Sequence, residues 1–169
     1  MPIFAGYLLI AEMKILLAAL FLTFVILIGL LPFTLLYLFS DSVRFVLAGV
    51  MKYRRRVIVS NLQRAFPQMQ EEMREEMLNR FYRHLTDVLI EGIKSISMSP
   101  KQIGKRHVLL NPELVESYHR TGKSMIVLAG HYANWEWGSL SASLQTRHGV
   151  VAFYKPLSNR HVDRLLKYS

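Results

Sequence analysis

The residues best suited to chemistry lie between Gly130 and Trp137, in the run Gly-His-Tyr-Ala-Asn-Trp-Glu-Trp. His131 can take a proton from a hydroxyl. Glu136, five positions on, can orient the ring, fix its tautomer and stabilise the imidazolium that forms. Spacing constrains how the two could meet: within one continuous helix an i, i+5 pair diverges by about 140°. With His131 in a turn and Glu136 in the first turn of the following helix, the side chains can approach. The positive end of that helix would then keep the imidazole neutral at rest. No serine or cysteine nucleophile is needed if the substrate brings its own hydroxyl. The same residue types also suit a histidine that is merely packed or capping at a strand end. A metal centre fits less well, because the six histidines are scattered with no His-x-x-x-His spacing. The absence of cysteine removes thiolate zinc sites, disulfides and cysteine nucleophiles together. No metal and no cofactor is expected.

The elements that must position this block can be read around it. Ser124 to Ala129 is an apolar run of strand length bounded by Gly122 and Gly130. That places the block at the carboxyl end of a strand, where active groups gather in open α/β sheets. His107 to Leu110 and Val150 to Tyr154 read as further strands. Asn111-Pro112-Glu113 reads as a helix start with proline in the first turn, ending near Thr121-Gly122. Helices are also expected from Asn134 to about Thr146 and from Ser158 onward. The alternation predicts an α/β class, with residues 107–169 forming the first part of a sandwich around a mainly parallel sheet.

Residues 41–106 read instead as helical. Ser40-Asp41 are good N-cap types for a helix reaching about Phe66 and stopped by Pro67. A second helix is predicted from Glu71 to Ile96, with Leu78, Phe81, Leu85, Val88, Leu89, Ile93 and Ile96 on one apolar face. Glu71, Glu72, Glu75 and Glu76 place negative charge at the positive end of its dipole. They read as helix-start chemistry rather than as a carboxylate metal site.

Charge and hydropathy divide the chain unequally. It has 169 residues, 51% of them hydrophobic, and a net charge of +9, a composition that excludes a disordered chain. Residues 1–50 hold two acidic and two basic side chains, so the whole excess falls in residues 51–169, with nineteen basic against ten acidic. Between Lys14 and Asp41 there is no charged residue over 26 positions. As a helix that run would extend roughly 39 Å, against about 30 Å of hydrocarbon core. Residues 1–40 are therefore read as a single membrane anchor, bent near Gly29 and Pro32. A buried helix of a soluble protein is the competing reading, as is a cleaved signal peptide beginning at Met13-Lys14, although the apolar run is longer than such peptides carry. Arg44, Lys52, Arg54, Arg55 and Arg56 follow the anchor and only Lys14 precedes its apolar run, so the positive-inside rule puts residues 41–169 on the cytoplasmic face. The run Lys52 to Arg56 suits an anionic membrane surface better than a nucleic acid. A solvated face without a specific ligand fits it too.

The block Gly130 to Trp137 resembles the Gly-His-(Phe/Tyr)-Gly-Asn-Trp-Glu block of bacterial lipid A biosynthesis acyltransferases of the lauroyl/myristoyl type. These belong to the lysophospholipid acyltransferase superfamily, with its His-x4-Asp/Glu motif. The resemblance extends collinearly to Tyr53 through Pro67, Phe81 through Asp87, Phe153 through Asn159, and Asp163-Arg164-Leu165. It departs at Ala133, where glycine is common. What it implies is transfer of a fatty acyl group from acyl carrier protein or acyl-CoA to a hydroxyl of a lipid A precursor or related glycolipid, at the bacterial inner membrane. His131 would be the base and Glu136 its partner, with Asn134 and Lys155 placing substrate. Arg160 and Arg164, four apart on one helix face, could join that surface or be plain solvated charge. Asn134 is also a good N-cap type, and Lys155 also fits a simple loop charge. The basic half suits an acidic carrier protein or an anionic lipid acceptor, and no nucleic acid is expected as a partner. Family members are longer, with later blocks that have no counterpart before Ser169, so the chain is expected to be an N-terminal portion. The alternative of another class is a catalytically incomplete fragment that only binds a membrane surface or acyl carrier protein.

Overall fold

A computed structural model describes residues 2–151 and 155–167. The described residues form eight α-helices and one π-helical segment: α1 (Pro2–Leu30), α2 (Phe33–Arg44) continued by the π segment Phe45–Val50, α3 (Arg55–Ala65), α4 (Glu71–Ser95), α5 (Pro100–Arg106), α6 (Pro112–His119), α7 (Trp135–Gln145) and α8 (Arg160–Lys167). They fall into two compact units, one of Leu31–Glu91 and one of Met1–Leu30 with Gly92–Ser169.

The expected α/β sheet is not formed: no strand occurs among the described residues. Residues 107–110 and 123–130 run extended or bent without a ladder, and Phe153 and Tyr154 of the third expected strand lie outside the described residues. The reason is non-local. An apolar run of strand length becomes a strand only when a neighbour accepts its backbone hydrogen bonds, and nothing local supplies one. Ile126, Val127 and Leu128 are accordingly 91%, 78% and 93% exposed.

The apolar start also differs from a single bent anchor. Pro32 disfavours helical geometry at Leu31, so α1 stops at Leu30 and α2 begins afresh, with the Pro32 carbonyl accepting from the Leu36 amide at 3.0 Å. Two stretches, Glu12–Leu30 and Phe33–Val50, are each long and apolar enough to cross a bilayer. Ser40 and Asp41 lie inside α2 rather than starting a helix. Ser40 is fully buried, and its hydroxyl donates to Asp87 at 2.6 Å.

In the unit Leu31–Glu91, Leu36 and Ser40 of α2 are buried, and α2 is tied to α4 by the Ser40–Asp87 bond and by the Tyr37 hydroxyl, which donates to Glu91 at 2.6 Å. The buried stripe of α4 is not the one predicted from apolar types. Every fourth residue is buried, namely Leu78, Tyr82, Thr86, Ile90 and Lys94, whereas Phe81 and Leu89 are exposed. Tyr, Thr and Lys carry apolar bodies with polar tips, and here each tip is satisfied. The Tyr82 hydroxyl donates to the Tyr53 carbonyl at 2.7 Å, Thr86 bonds the Tyr82 carbonyl one turn back, and Lys94 bonds the Gly29 carbonyl. Burial pushes the Tyr82 phenol up, only partly offset by Arg55. Glu71 and Glu72 occupy the first turn of α4 as the dipole argument requires, and Glu75 pairs with Arg55 of α3 at 2.5 Å.

The other unit gathers around the end of α4. Gly29 approaches Ser97 so closely that a Cβ at Gly29 would lie 2.6 Å from its Oγ. The Lys94 ammonium donates to a carbonyl at the C-terminal end of α1, where such carbonyls lack helical partners. Helix α5 starts with a capping box between Ser99 and Gln102. Near the middle of α1, Asn159 ahead of α8 donates to the Lys14 carbonyl at 3.1 Å.

The stripe can be tested by substitution. Leu78→Ala should cost about 2–5 kcal/mol and Phe81→Ala under about 1 kcal/mol, the reverse of their relative bulk, in chemical denaturation of the micelle-embedded chain followed by circular dichroism.

Candidate functional site

The site is built at the entry to α7. Gly130 to Asn134 form a turn that delivers His131 just ahead of the helix, and Glu136 follows as its second residue. Asn134 is the N-cap, its side-chain oxygen accepting from the Trp137 amide at 3.1 Å. Ala133 has φ of 50°, a left-handed conformation in which a Cβ is strained. This explains why glycine suits the position, and why an alanine there stores a small strain.

His131 is exposed, with its ring 4.7 Å from that of Trp135. Among the described residues, no hydrogen bond or ion pair joins His131 to Glu136. Turn placement and first-turn placement are thus as the spacing requires, while the two side chains stand apart. The Glu136 carboxylate instead lies against Gly92 of α4, occupying the space a Cβ there would fill. Its charge sits at the positive end of α7.

Helix α7 is fixed from below. Trp137 and Ser141 are buried, Ser141 Oγ meets His107 Nδ1 at 2.6 Å, and the Arg106 guanidinium lies 5.9 Å from the Trp137 ring centre. Gln145 Nε2 donates to the His107 carbonyl at 2.7 Å, and its Oε1 accepts from the Leu109 amide at 2.8 Å. Residue 107, expected to begin a strand, therefore serves as the bracket between α5 and α7. Gly138 faces the same ring, where a Cβ would make ordinary contact at 3.4 Å from His107 Nε2.

The other expected substrate-binding residues are dispersed. Lys155, Arg160 and Arg164 are exposed and form no hydrogen bond or ion pair with His131 or Glu136 among the described residues. The residues missed in the sequence reading are Gly92, His107, Gly138, Ser141 and Gln145. Gly92 had a readable signal, being the one glycine in a 25-residue helix, where glycine costs about 1 kcal/mol relative to alanine.

A cleft of about 410 Å³ lies elsewhere in the same unit, lined by residues that include Glu116, Arg120, Arg147 and His148. It shares no residue with the His131 block. Its two guanidinium groups face Glu116, at 3.8 and 3.6 Å.

Lys94 is 6% exposed, and burial pushes its ammonium down, with repulsion from Arg106 adding to the effect.

Residues 7–168 match the family of bacterial lipid A biosynthesis acyltransferases. The chain belongs to that family. It is also similar to a lipid A biosynthesis acyltransferase of Haemophilus influenzae, 26% identical over 144 residues that cover 84% of this chain and 44% of that protein. The chain thus spans less than half the length of this curated relative. No solved structure matches it.

Two outcomes follow. Ala133→Gly should relieve the left-handed strain of about 1–2 kcal/mol while adding unfolded-state entropy of about 0.4–1 kcal/mol. Thermal melting should therefore show a neutral to modest gain. The lowered Lys94 pKa means that protonated Lys94 opposes folding. This penalty is full below its folded value and disappears as pH rises to the ordinary lysine value. The melting temperature should carry a rising alkaline increment that Lys94→Met lacks.

Proposed function

We propose that this chain carries the base of a membrane-bound O-acyltransferase, moving a fatty acyl group from acyl carrier protein or acyl-CoA to a hydroxyl of a lipid A precursor or related glycolipid. The observation that carries the reading is the placement of His131 in the turn before α7 with Glu136 in its first turn, in a chain of this family. In the reaction His131 takes the hydroxyl proton as the acceptor oxygen attacks the thioester carbonyl carbon. The tetrahedral intermediate collapses with loss of the donor thiolate, which receives that proton back from the imidazolium. Glu136 serves by stabilising the imidazolium, which requires its carboxylate to swing from Gly92 toward the ring. Catalytic hydrogen bonds that are open in a free enzyme commonly close with substrate.

The two apolar stretches support attachment to a bacterial inner membrane, and the basic residues 52–56 support a cytoplasmic face with anionic lipid beside it. Asn134 acts by capping α7. Lys155, Arg160 and Arg164 supply positive charge for an acidic carrier protein or phosphorylated acceptor.

The test is acyl transfer from a radiolabelled acyl-carrier-protein donor in membranes. His131→Ala should abolish turnover and Glu136→Gln should lower it by on the order of 10²- to 10⁴-fold, with the chain still sedimenting with the membrane. Retained turnover in His131→Ala overturns the assignment. Donor binding without turnover in the unsubstituted chain would favour a purely binding role.

A further inference from the structure

We propose that Gly92 is a positioning residue for Glu136, its missing side chain forming the seat that holds the carboxylate at the mouth of the site. The proposal rests on the reading of Glu136 as the partner of His131 and assigns what determines where that partner waits.

Three observations carry it. First, both oxygens of Glu136 lie near the position a Cβ on residue 92 would occupy, and the nearer would collide with it. Second, Glu136 is exposed and makes no hydrogen bond or ion pair among the described residues, so the approach to Gly92 is the contact the structure gives its carboxylate. Third, Gly92 is the one glycine in the 25 residues of α4. It lies in the last turn of α4, and its φ is not left-handed, so it does not serve as a C-cap glycine. The local backbone is well bonded, the Gly92 carbonyl accepting from Ser95 Oγ at 2.6 Å. Close approach of another group is the use that remains for a glycine here.

The seat has a functional sense. A carboxylate free in solvent would sample many rotamers before meeting the imidazole, and ordering it would add to the barrier. Against Gly92 the exposed carboxylate has a resting place at the start of α7, from which the swing toward the ring begins. An alanine would evict only the end of a flexible side chain, so the helix itself would not suffer.

This gives Gly92→Ala a signature that a simple packing role does not share. In the micelle-embedded chain labelled with ¹³C-glutamate, the Glu136 carboxyl resonance, assigned by its loss in Glu136→Gln, should move in Gly92→Ala. The melting temperature should be unchanged or raised, because alanine replaces glycine in a helix. In the acyl-transfer assay, kcat should fall on the order of 10- to 100-fold with KM unchanged. In a Glu136→Asp background, where the shorter side chain does not reach the seat, adding Gly92→Ala should have no further effect. An unmoved Glu136 resonance overturns the proposal. So does a fall in melting temperature together with equal losses in the Glu136 and Glu136→Asp backgrounds, which would mark a packing role. Turnover retained in His131→Ala would remove the base assignment while leaving the resonance shift to decide the seat.

Discussion

The bracket that His107 makes between α5 and α7 is the contact on which the site depends. A histidine and a glutamate near one helix start are useful only if that helix cannot slide. Here the imidazole of residue 107 meets Ser141, its carbonyl is held by Gln145, and Trp137 is buried beneath the Arg106 guanidinium. Gly138 and Ser141 lie one turn apart on the face that meets the ring, and Ser141 holds it. The Ser141 hydroxyl, the His107 Nδ1 and carbonyl, and both ends of the Gln145 amide have partners, which lowers the cost of burying them.

The same unit ties the apolar α1 to the region of the site. Lys94 bonds a carbonyl near the end of α1 and Gly29 meets Ser97, so α1 terminates against the residues that lead into α5. A cation at a helix C-terminus also complements the helix dipole. The cost is the desolvation of an ammonium group that is nearly buried. The polar join at Gly29 and Lys94 fixes the angle and register of α1 more specifically than apolar packing would, because a displaced ammonium would lose its acceptor while remaining buried.

Local signals were legible in the sequence and non-local ones were not. Helix α4, the proline-led start of α6 and the Asn134 cap are each encoded within a turn or two of chain, and the structure has them where the residues place them. The sheet was misread because Ser124 to Ala129 specifies strand propensity but not a partner. The buried stripe of α4 shares Leu78 with the expected face and then runs one position beyond Phe81, Leu85, Leu89 and Ile93, because Tyr82, Thr86 and Lys94 each bury their bodies and satisfy their tips through another part of the chain or the preceding turn. For the site, the turn carrying His131 and the helix start carrying Glu136 were readable from spacing. His107 was not, and Gly92 was readable only as an unusual glycine in a helix and not as a neighbour of Glu136, since both roles arise from contacts tens of residues away in sequence.

The extended stretch Ile126-Val127-Leu128 carries a consequence for handling the protein. Three nearly fully exposed apolar side chains in a row, with unpaired backbone on either side, form a sticky ribbon whose nearest charge is Lys123. Two such ribbons on separate molecules can zip together through main-chain bonds, at a rate that grows with the square of their concentration. Dilution, early capture in detergent and a charge placed at position 127 are the practical means of keeping copies apart, and they act on a segment separate from the contacts that hold α7.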